Sequence, residues 1–229
     1  MNFPTPQLNE LFESSIPIKG IISIWGGSGV GKTTLALQIA MSAANVGNVV
    51  FIYSKPNFPY EKVGKLLRDN PSNILNNIIF ISALNFADLN TIILNLEFLI
   101  LTFLKENKTV INLIVIDSIT DLYRLELNKD KKEKNVRLNY QLNQILANLY
   151  YINESYGTEI LIVNEISRKY YNDSTKEVQS GGKVMDYWTN SSIKISRTKK
   201  LNVRTFKIIK DPETKAFQLL SNLGEHGFG

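Results

Sequence analysis

Cysteine is absent from this sequence, and histidine occurs once, at His226. Without cysteine, neither a disulfide framework nor a thiolate metal site can form, and nothing in the composition favours an oxidising compartment. His226 lies in a tail flanked by glycines, where a solvated histidine is far commoner than a catalytic one. The composition therefore excludes disulfide-stabilised scaffolds and zinc–thiolate sites.

The sequence also lacks a signal peptide pattern and a hydrophobic run long enough to span a membrane. Its first residues, MNFPTPQLNE, do not have the charged start and apolar core of a signal peptide. The most apolar segment, residues 92–104, is shorter than the roughly 20 residues of a spanning helix and contains Asn95 and Glu97. We therefore expect a cytoplasmic protein with no membrane partner, in which segment 92–104 is a buried helix.

The sequence does contain enough apolar residues for a core and a mild excess of positive charge. Its 229 residues are 44% hydrophobic, which predicts one domain over residues 1–229. The formal net charge is +5 and the isoelectric point is near 9.2. This charge suits a polyanionic partner but does not identify one.

Short apolar, β-branched runs alternate with longer helical patterns along the chain. This alternation is typical of an α/β fold with a mostly parallel, twisted sheet flanked by helices. Residues 1–17 are a lead-in, and residues 191–229 predict a small antiparallel C-terminal extension, because short strand-like pieces alternate there with polar turns. The predicted parallel strands are residues 21–25, 49–53, 78–81, 113–117 and 160–163.

Two helices and two loops can be placed between these strands. The helical patterns cover residues 33–46 and 136–156, and each is followed by a glycine that favours a helix end. Polar, charged segments at 127–135 and 167–182 have no clear apolar periodicity. We predict that both segments are loops.

The stretch GGSGVGKTT at residues 26–34 satisfies the pattern G-x-x-x-x-G-K-[ST] between a predicted strand and a predicted helix. In such a loop, backbone N–H groups and the positive helix end surround phosphate oxygens. The lysine reaches the β- and γ-phosphates, and the hydroxyl beside it ligates Mg²⁺. The predicted nucleotide-binding residues are Gly26, Gly27, Ser28, Gly29, Val30, Gly31, Lys32, Thr33 and Thr34.

Asp117 ends the predicted strand LIVID and supplies the carboxylate that such a site requires. A carboxylate at the end of a strand adjacent to the phosphate loop holds the metal in this class of proteins. We therefore predict that Thr33 and Asp117 hold Mg²⁺, that ATP is the nucleotide, and that the fold is a P-loop NTPase core.

Several segments beyond the phosphate loop resemble the core of the RecA-like recombinases, in particular the archaeal RadA group and its short paralogues of the RadB type. The most specific of these features is the GG-x5-W spacing of Gly181, Gly182 and Trp188. The resemblance covers nearly the whole chain and implies a RecA-like core that acts in homologous recombination and DNA repair. It is carried by the segments LIVIDSITDLYR, ILIVNEI and SGGKVMDYWTNSSIKISR.

The resembling recombinases differ from this sequence at their N-termini. Full-length RadA-type proteins carry a helical DNA-binding domain and a Phe-x-x-Ala element through which subunits polymerise. This sequence begins directly at the core, and its FPTP at residues 3–6 is not that element. The resemblance therefore implies a paralogue that works with the main RadA-type recombinase or with another paralogue, and not an extended filament of its own.

A second departure concerns the catalytic glutamate. In the resembling family, the run I-D-T-E-G-T-F-R-P-E-R contains a glutamate that activates the attacking water. The matching run at residues 52–62 has Lys55 in its place and has Lys62 where relatives carry an arginine that covers the adenine. A protonated lysine accepts no proton from water, so general-base help of about 10²–10⁴-fold would be missing. Glu165 stands where relatives carry a glutamine that senses the γ-phosphate, so we expect Lys32, Lys55 and Glu165 at the reacting phosphate.

By resemblance, the two predicted loops are the family's DNA-binding loops. A run of cations neutralises phosphates, although such a run is more often only a solvated face. Aromatic side chains beside cations provide stacking platforms for single strands. The first loop and its flanks contain Arg124, Lys129, Lys131, Lys132, Lys134 and Arg137. The second loop contains Arg168, Lys169, Tyr170, Tyr171 and Lys176.

Three functions fit these features. The leading hypothesis is a recombinase paralogue that binds ATP and single-stranded DNA and is at most a weak DNA-dependent ATPase. The second is an active DNA-dependent ATPase that exchanges strands, with Glu61 or Glu165 as the base. The third is a KaiC-like signalling ATPase that does not bind DNA. Such proteins usually carry paired glutamates where this chain has Ser54 and Lys55.

Overall fold

The computed structural model describes residues 1–15, 20–67, 73–107, 109–128, 130–171, 174–209 and 217–229. Its strands are β1 (Ile21–Gly26), β2 (Asn48–Tyr53), β3 (Ile78–Ser82), β4 (Ile111–Asp117), β5 (Glu159–Tyr171), β6 (Ser174–Gln179), β7 (Thr189–Arg197), β8 (Val203–Ile209), β9 (Phe217–Gly224) and β10 (Gly227–Phe228). Its helices are α1 (Pro6–Ser15), α2 (Lys32–Ala44), α3 (Tyr60–Leu66), α4 (Phe86–Leu94), α5 (Leu96–Thr102), α6 (Asp121–Glu126), α7 (Lys132–Tyr156) and α8 (Gly182–Trp188). A 3-10 turn at Ile74–Asn77 precedes β3, and a π-helical turn at Phe103–Asn107 follows α5.

The described strands form one sheet in which parallel and antiparallel pairs are segregated. Parallel pairing joins β7, β1, β5, β4, β2 and β3 in that order. Beyond β7, the strands β8, β9 and β10 add antiparallel pairs, and β6 pairs antiparallel with the far end of β5. The predicted α/β fold with a C-terminal antiparallel group is confirmed.

The start of the antiparallel group differs from the prediction. Most of strand β7 falls within the predicted extension 191–229, yet the strand pairs parallel with β1 on one side and antiparallel with β8 on the other. The reason is that α8 precedes β7 and lets the chain cross over before β7 pairs, which is what a parallel neighbour needs. The purely antiparallel strands therefore begin at β8.

The central strands are buried on both faces, which explains their continuous apolar sequence. In β4, Leu113 and Val115 belong to the core on one face, and Ile114 and Ile116 belong to the core on the other. This follows from the alternation of side chains along a strand. Helix α2 covers the first face, whereas α4, α5 and α7 cover the second.

The end of α7 is fixed by a glycine and a buried asparagine. Gly157 has a left-handed conformation with φ of 67°, and its N–H donates to the carbonyl of Asn153 at 3.0 Å. The Asn153 side chain accepts from the Gly20 N–H at 2.7 Å and donates to the Thr158 carbonyl at 2.9 Å. The predicted stop at Gly157 is confirmed, and Asn153 ties this helix end to the starts of β1 and β5.

The apolar segment that we expected to be a buried helix is buried on one face only. The helical stretch Phe86–Glu106 has a mean hydropathy of 1.6 and is long and apolar enough to cross a membrane by length and composition alone. One face packs in the core through residues such as Leu89 and Ile93, which are fully buried. Other apolar side chains of the same stretch, including Phe98 at 69% exposure, face outwards. The prediction of a buried helix is therefore wrong for this outer face.

Both predicted loops are partly regular structure. Helix α7 starts at Lys132, within the predicted loop 127–135, because lysine and glutamate favour an exposed helix even without apolar residues. The Asn135 side chain accepts from the Asn128 N–H at 3.0 Å and fastens this first turn. Most of the predicted loop 167–182 is the β5–β6 hairpin. Because both faces of this hairpin are exposed, its sequence lacks the alternation of apolar and polar residues that would indicate strands.

Candidate nucleotide-binding site

Four parallel strands bring the predicted site residues to one edge of the sheet. Gly26 pairs with Glu165, and Asp117 pairs with both Val163 and Tyr53. The carboxyl ends of β1, β5, β4 and β2 therefore lie side by side, which is where ligands bind in open α/β sheets. Lys55 follows β2 by two residues and lies at the same edge.

Lys32 is held inside the phosphate loop. Its Nζ donates to the carbonyls of Gly26 and Gly27, both at 2.9 Å, and only 5% of its side chain is exposed. The same Nζ lies 3.0 Å from Oε1 and 3.1 Å from Oε2 of Glu165. An incoming phosphate would therefore meet an ammonium group already directed by the loop and paired with a carboxylate.

Asp117 connects Thr33 with Lys55. The Thr33 hydroxyl donates to Oδ2 of Asp117 at 2.6 Å. The Lys55 Nζ lies 2.9 Å from Oδ1 of Asp117 and 3.9 Å from Oδ2 of Asp121. Asp117 is fully buried, and the Lys55 ammonium is the ion-pair partner of its Oδ1.

The charges around this carboxylate change the ionisation of the neighbouring lysines. Burial lowers the pKa of Lys55, but the carboxylates of Asp117, Asp121 and Glu165 raise it by more, so the net shift is upward. Burial lowers the pKa of Lys62, the Asp117 carboxylate raises it, and the Lys55 ammonium lowers it further. Lys55 is therefore protonated at neutral pH and cannot act as a general base.

The donor set fits a magnesium–nucleotide complex in its residue types. A threonine hydroxyl and a buried carboxylate are hard oxygen ligands of the kind that Mg²⁺ prefers. Both oxygens of Asp117 have partners within the chain, the Thr33 hydroxyl at Oδ2 and the Lys55 ammonium at Oδ1, and a metal ion or its bound water would have to share them. Thr33 and Asp117 are thus the described residues that could hold the ion, with Lys55 as a competing positive charge on the same carboxylate.

The loop backbone is packed against residues from the far end of the chain. Gly31 has φ of 105°, and a Cβ atom there would lie 2.7 Å from the Phe228 ring, so only glycine fits. The Arg197 guanidinium donates to the Ser28 carbonyl at 3.2 Å. The C-terminal strands therefore help to shape the phosphate loop.

The family model described as Rad51 matches residues 3–229, nearly the whole chain. The chain belongs to the Rad51 family. The resemblance to RecA-like recombinases and their short archaeal paralogues is thereby confirmed.

Relatives within this family are similar over most of their own length. The "DNA repair and recombination protein RadB" of Methanococcus maripaludis is 33% identical over 220 residues, which cover 94% of this chain and 95% of that protein. The protein of the same name from Methanocaldococcus jannaschii is 32% identical over 183 residues, covering 78% and 79%. The one from Methanobrevibacter smithii is 24% identical over 199 residues, covering 86% and 81%.

In this Rad51-family chain the predicted second DNA loop is a projecting hairpin. Arg168 lies opposite Glu177, Lys169 opposite Lys176, and Tyr170 opposite Thr175. Because side chains alternate along strands, Arg168 and Tyr170 share one face, and Lys169 and Lys176 share the other. The side chain of Tyr171 lies outside the described part of the structure. One face therefore carries Arg168 together with Tyr170 and the other carries two lysines, a distribution that the sequence order does not show.

Hydrogen bonds join the base of this hairpin to the strand ends that carry the candidate site residues. The Ser180 N–H donates to the Glu165 carbonyl at 2.8 Å, and the Asn164 side chain donates to the Ser180 carbonyl at 2.8 Å. The Thr120 hydroxyl donates to the Asn164 side-chain oxygen. These buried polar groups join the hairpin to the ends of β4 and β5.

The predicted first loop contributes exposed cations at the junction of α6 and α7. Lys134 forms an ion pair with Glu126 at 3.8 Å, so part of this charge is neutralised within the chain. Lys129 lies outside the described residues. The predicted residues with described, exposed side chains are Arg124, Lys131, Lys132, Lys134 and Arg137.

Sequence reasoning missed Asp121 and the role of Arg197. Asp121 opens α6 and lies close to Lys55, and no sequence pattern indicated it. The pairing of Lys55 with Asp117 depends on β2 lying beside β4, a strand order that was not predicted from the sequence. The contact of Arg197 with the phosphate loop depends on β7 lying beside β1, which the sequence did not indicate.

Proposed function

We propose that this chain is an ATP-binding recombinase paralogue that assists or regulates a main RadA-type recombinase in recombination and DNA repair. It binds single-stranded DNA and hydrolyses ATP weakly or not at all. It acts in the cytoplasm, together with that recombinase or with another paralogue. The observation that carries the proposal is a phosphate loop joined to a carboxylate whose ion-pair partner is a lysine at the position of the catalytic glutamate.

ATP binding is supported by the arrangement around the start of α2. The Lys32 ammonium donates hydrogen bonds to two loop carbonyls, and the Thr33 hydroxyl donates one to the buried Asp117 carboxylate. When bound, Mg²⁺ would neutralise phosphate charge and orient the β- and γ-phosphates. Lys32 would exchange its contact with Glu165, whose side chain is 18% exposed, for one with the phosphates.

Weak hydrolysis is supported by the state of Lys55. Its ammonium is engaged with Asp117 and is kept protonated by three carboxylates, so it takes no proton from water. ATP then acts as a conformational ligand, which favours one arrangement of the residues at the strand ends.

The role in recombination and repair is supported by the relatives, each of which is called a DNA repair and recombination protein. DNA contact is supported by the exposed cations of the hairpin and of the α6–α7 junction. The signalling-ATPase alternative has no support among these relatives.

A second candidate function, an active DNA-dependent ATPase, is favoured by one observation. Glu165 lies beside the Lys32 ammonium at the phosphate edge, where a carboxylate could orient water once Lys32 turns to the phosphates. The two functions differ in turnover, which is directly measurable.

The first test is ATP binding and steady-state ATP turnover by the natural protein, with and without single-stranded DNA. We expect binding, near-zero turnover, and loss of affinity by at least about 30-fold in Lys32→Ala, because a charge-assisted phosphate contact is removed. Lys65→Ala, at an exposed lysine on α3, should bind normally. Unchanged affinity in Lys32→Ala would overturn the nucleotide assignment.

The variant Lys55→Glu restores a carboxylate at the end of β2. We expect turnover to rise by about tenfold or more if the residue alignment is correct, because a general base returns. Brisk, DNA-stimulated turnover by the natural protein, abolished in Glu165→Gln, would instead support the active ATPase.

A further inference from the structure

Arg197 is the last residue of β7, and its side chain lies over residues 28 and 29 of the phosphate loop. The guanidinium donates to the Ser28 carbonyl at 3.2 Å, which is its hydrogen-bond partner within the described part of the chain. A Cβ atom on Gly29 would lie 2.9 Å from the Arg197 Nη2 atom, so the guanidinium also covers the Gly29 Cα. Arg197 therefore contacts two successive residues of the loop from outside.

The contact fixes the direction of one peptide group of the loop. In a trans peptide, the C=O and N–H bonds lie in one plane and point in opposite directions. The peptide between Ser28 and Gly29 is trans, and its oxygen points to Arg197, so the Gly29 N–H points away from β7. This N–H has no hydrogen-bond partner among the described residues. Because the N–H groups of such a loop bind the α- and β-phosphates, a free donor is available there for a phosphate oxygen.

Backbone preference and packing do not fix this peptide by themselves. Gly29 has φ of 70°, and glycine adopts φ of either sign at similar cost, so the backbone permits the peptide to turn over. A cavity of about 220 Å³ between the loop and β7 leaves room for that rotation. The hydrogen bond from Arg197 therefore selects the direction of the Gly29 N–H. The walls of the cavity include Gly27, Ser28 and Val30 of the loop, residues 194–197 of β7, and Glu177 of the hairpin.

We propose that Arg197 is a positioning residue for phosphate binding, which keeps the Gly29 N–H directed at the nucleotide by holding the Ser28 carbonyl outside the loop. This inference rests on the proposed ATP binding and adds to it a residue from the far end of the chain. Arg197 touches no phosphate in this role. Long-range attraction between its charge and the phosphates is a separate effect, which salt screens.

The first measurement is the affinity of the intact protein for a fluorescent N-methylanthraniloyl analogue of ADP in millimolar Mg²⁺. It is made at about 0.1 M and about 1 M salt, where the Debye length is about 10 and about 3 Å. Arg197→Ala should weaken binding by about tenfold at both salt concentrations, because a correctly directed phosphate donor is lost. Arg197→Lys still donates to a single carbonyl and should bind within about threefold of the natural protein. Lys199→Ala removes an equal charge from an exposed position two residues away and should bind normally.

The second measurement follows the Gly29 amide by NMR in protein labelled with ¹⁵N-glycine, before and after addition of Mg²⁺ and ADP. In the natural protein and in Lys199→Ala, the Gly29 proton signal should move downfield on binding, because its N–H donates to a phosphate. In Arg197→Ala saturated with ADP, this shift should be smaller. A variant that was only less stable would show the full shift at saturation.

Two outcomes would overturn the inference while leaving nucleotide binding intact. One is an affinity of Arg197→Ala within about twofold of the natural protein, or a loss of affinity that disappears in high salt. The other is a full downfield shift of Gly29 in saturated Arg197→Ala. No binding by the natural protein at either salt concentration would instead overturn the proposed function itself.

Discussion

The chemical role of Lys55 depends on its contact with Asp117. A lysine after a strand is unremarkable in a sequence, and a carboxylate at a strand end is common. Their 2.9 Å contact at the edge of the sheet makes them a buried ion pair in which the lysine, being protonated, cannot take a proton from water. The sequence indicated that Lys55 replaces a catalytic glutamate, and the structure adds which group the lysine contacts.

At Gly157 the backbone alone decides the residue type. Its φ is 67°, and a Cβ atom would meet nothing within 4 Å, so substitution by alanine costs backbone strain without a clash. We predict that Gly157→Ala lowers the free energy of unfolding by about 1 kcal/mol in urea denaturation.

Gly64 is the matched control for this prediction. It lies inside α3, does not have positive φ, and also has open space around its Cα. Gly64→Ala should raise the free energy of unfolding by about 0.5–1 kcal/mol, because alanine favours the helix. If the two substitutions changed the free energy of unfolding equally, backbone conformation would not be the cause of either change.

At the scale of elements, the β5–β6 hairpin carries a charged surface whose faces differ. Lys169 and Lys176 lie opposite each other on one face, and Glu177, which pairs with Lys194 at 2.8 Å, lies on the other. The face with the two lysines therefore has less internal neutralisation and is the better candidate for phosphate contact.

We predict that replacing Lys169 and Lys176 together by alanine weakens binding to single-stranded oligonucleotides. The slope of log K against log salt concentration should become less steep by about 1.4, since each lost phosphate contact removes about 0.7 for single strands. Fluorescence anisotropy at several salt concentrations measures this slope.

The matched control removes two exposed lysines elsewhere, Lys65 on α3 and Lys105 in the π-helical turn. It changes the net charge equally and should leave the slope unchanged. If both double variants shift the slope alike, overall charge accounts for binding and the hairpin is not the contact surface.

At the scale of the whole molecule, the C-terminal strands are part of the main core. Phe206 of β8 is fully buried, and its ring contacts that of Phe228 with centroids 5.0 Å apart. Phe228 in turn exchanges two hydrogen bonds with Gln38 of α2, at 2.9 and 3.1 Å. The extension is therefore packed onto the helix that starts at the phosphate loop.

We predict that Phe206→Ala lowers the free energy of unfolding by about 3–5 kcal/mol in a single denaturation transition. The loss should appear equally by circular dichroism and by tryptophan fluorescence, because the extension and the parallel sheet share one core. Leu220→Ala on β9, 63% exposed, should change stability by no more than about 0.5 kcal/mol. Two separate transitions would contradict a shared core.

Helices and strands could be predicted where the local sequence pattern matches the burial of the element in the folded chain. Strands buried on both faces have continuous apolar sequence, and Gly157 marks a helix end by its conformation. The β5–β6 hairpin and the first turn of α7 were missed, because exposed elements have no apolar periodicity. The exposed face of Phe86–Glu106 was also missed. This helical stretch is apolar on both faces, so its composition does not indicate which face packs in the core.

Residue types at short, fixed spacings were enough to predict the phosphate-loop pattern, the carboxylate at the end of β4, the central strands and the family. The tertiary structure alone decided that Lys55 pairs with Asp117, that Arg197 and Phe228 reach the phosphate loop, and that β7 runs parallel to β1. These contacts join residues that are distant in the chain, and they exist only because the order of strands in the sheet brings their ends together.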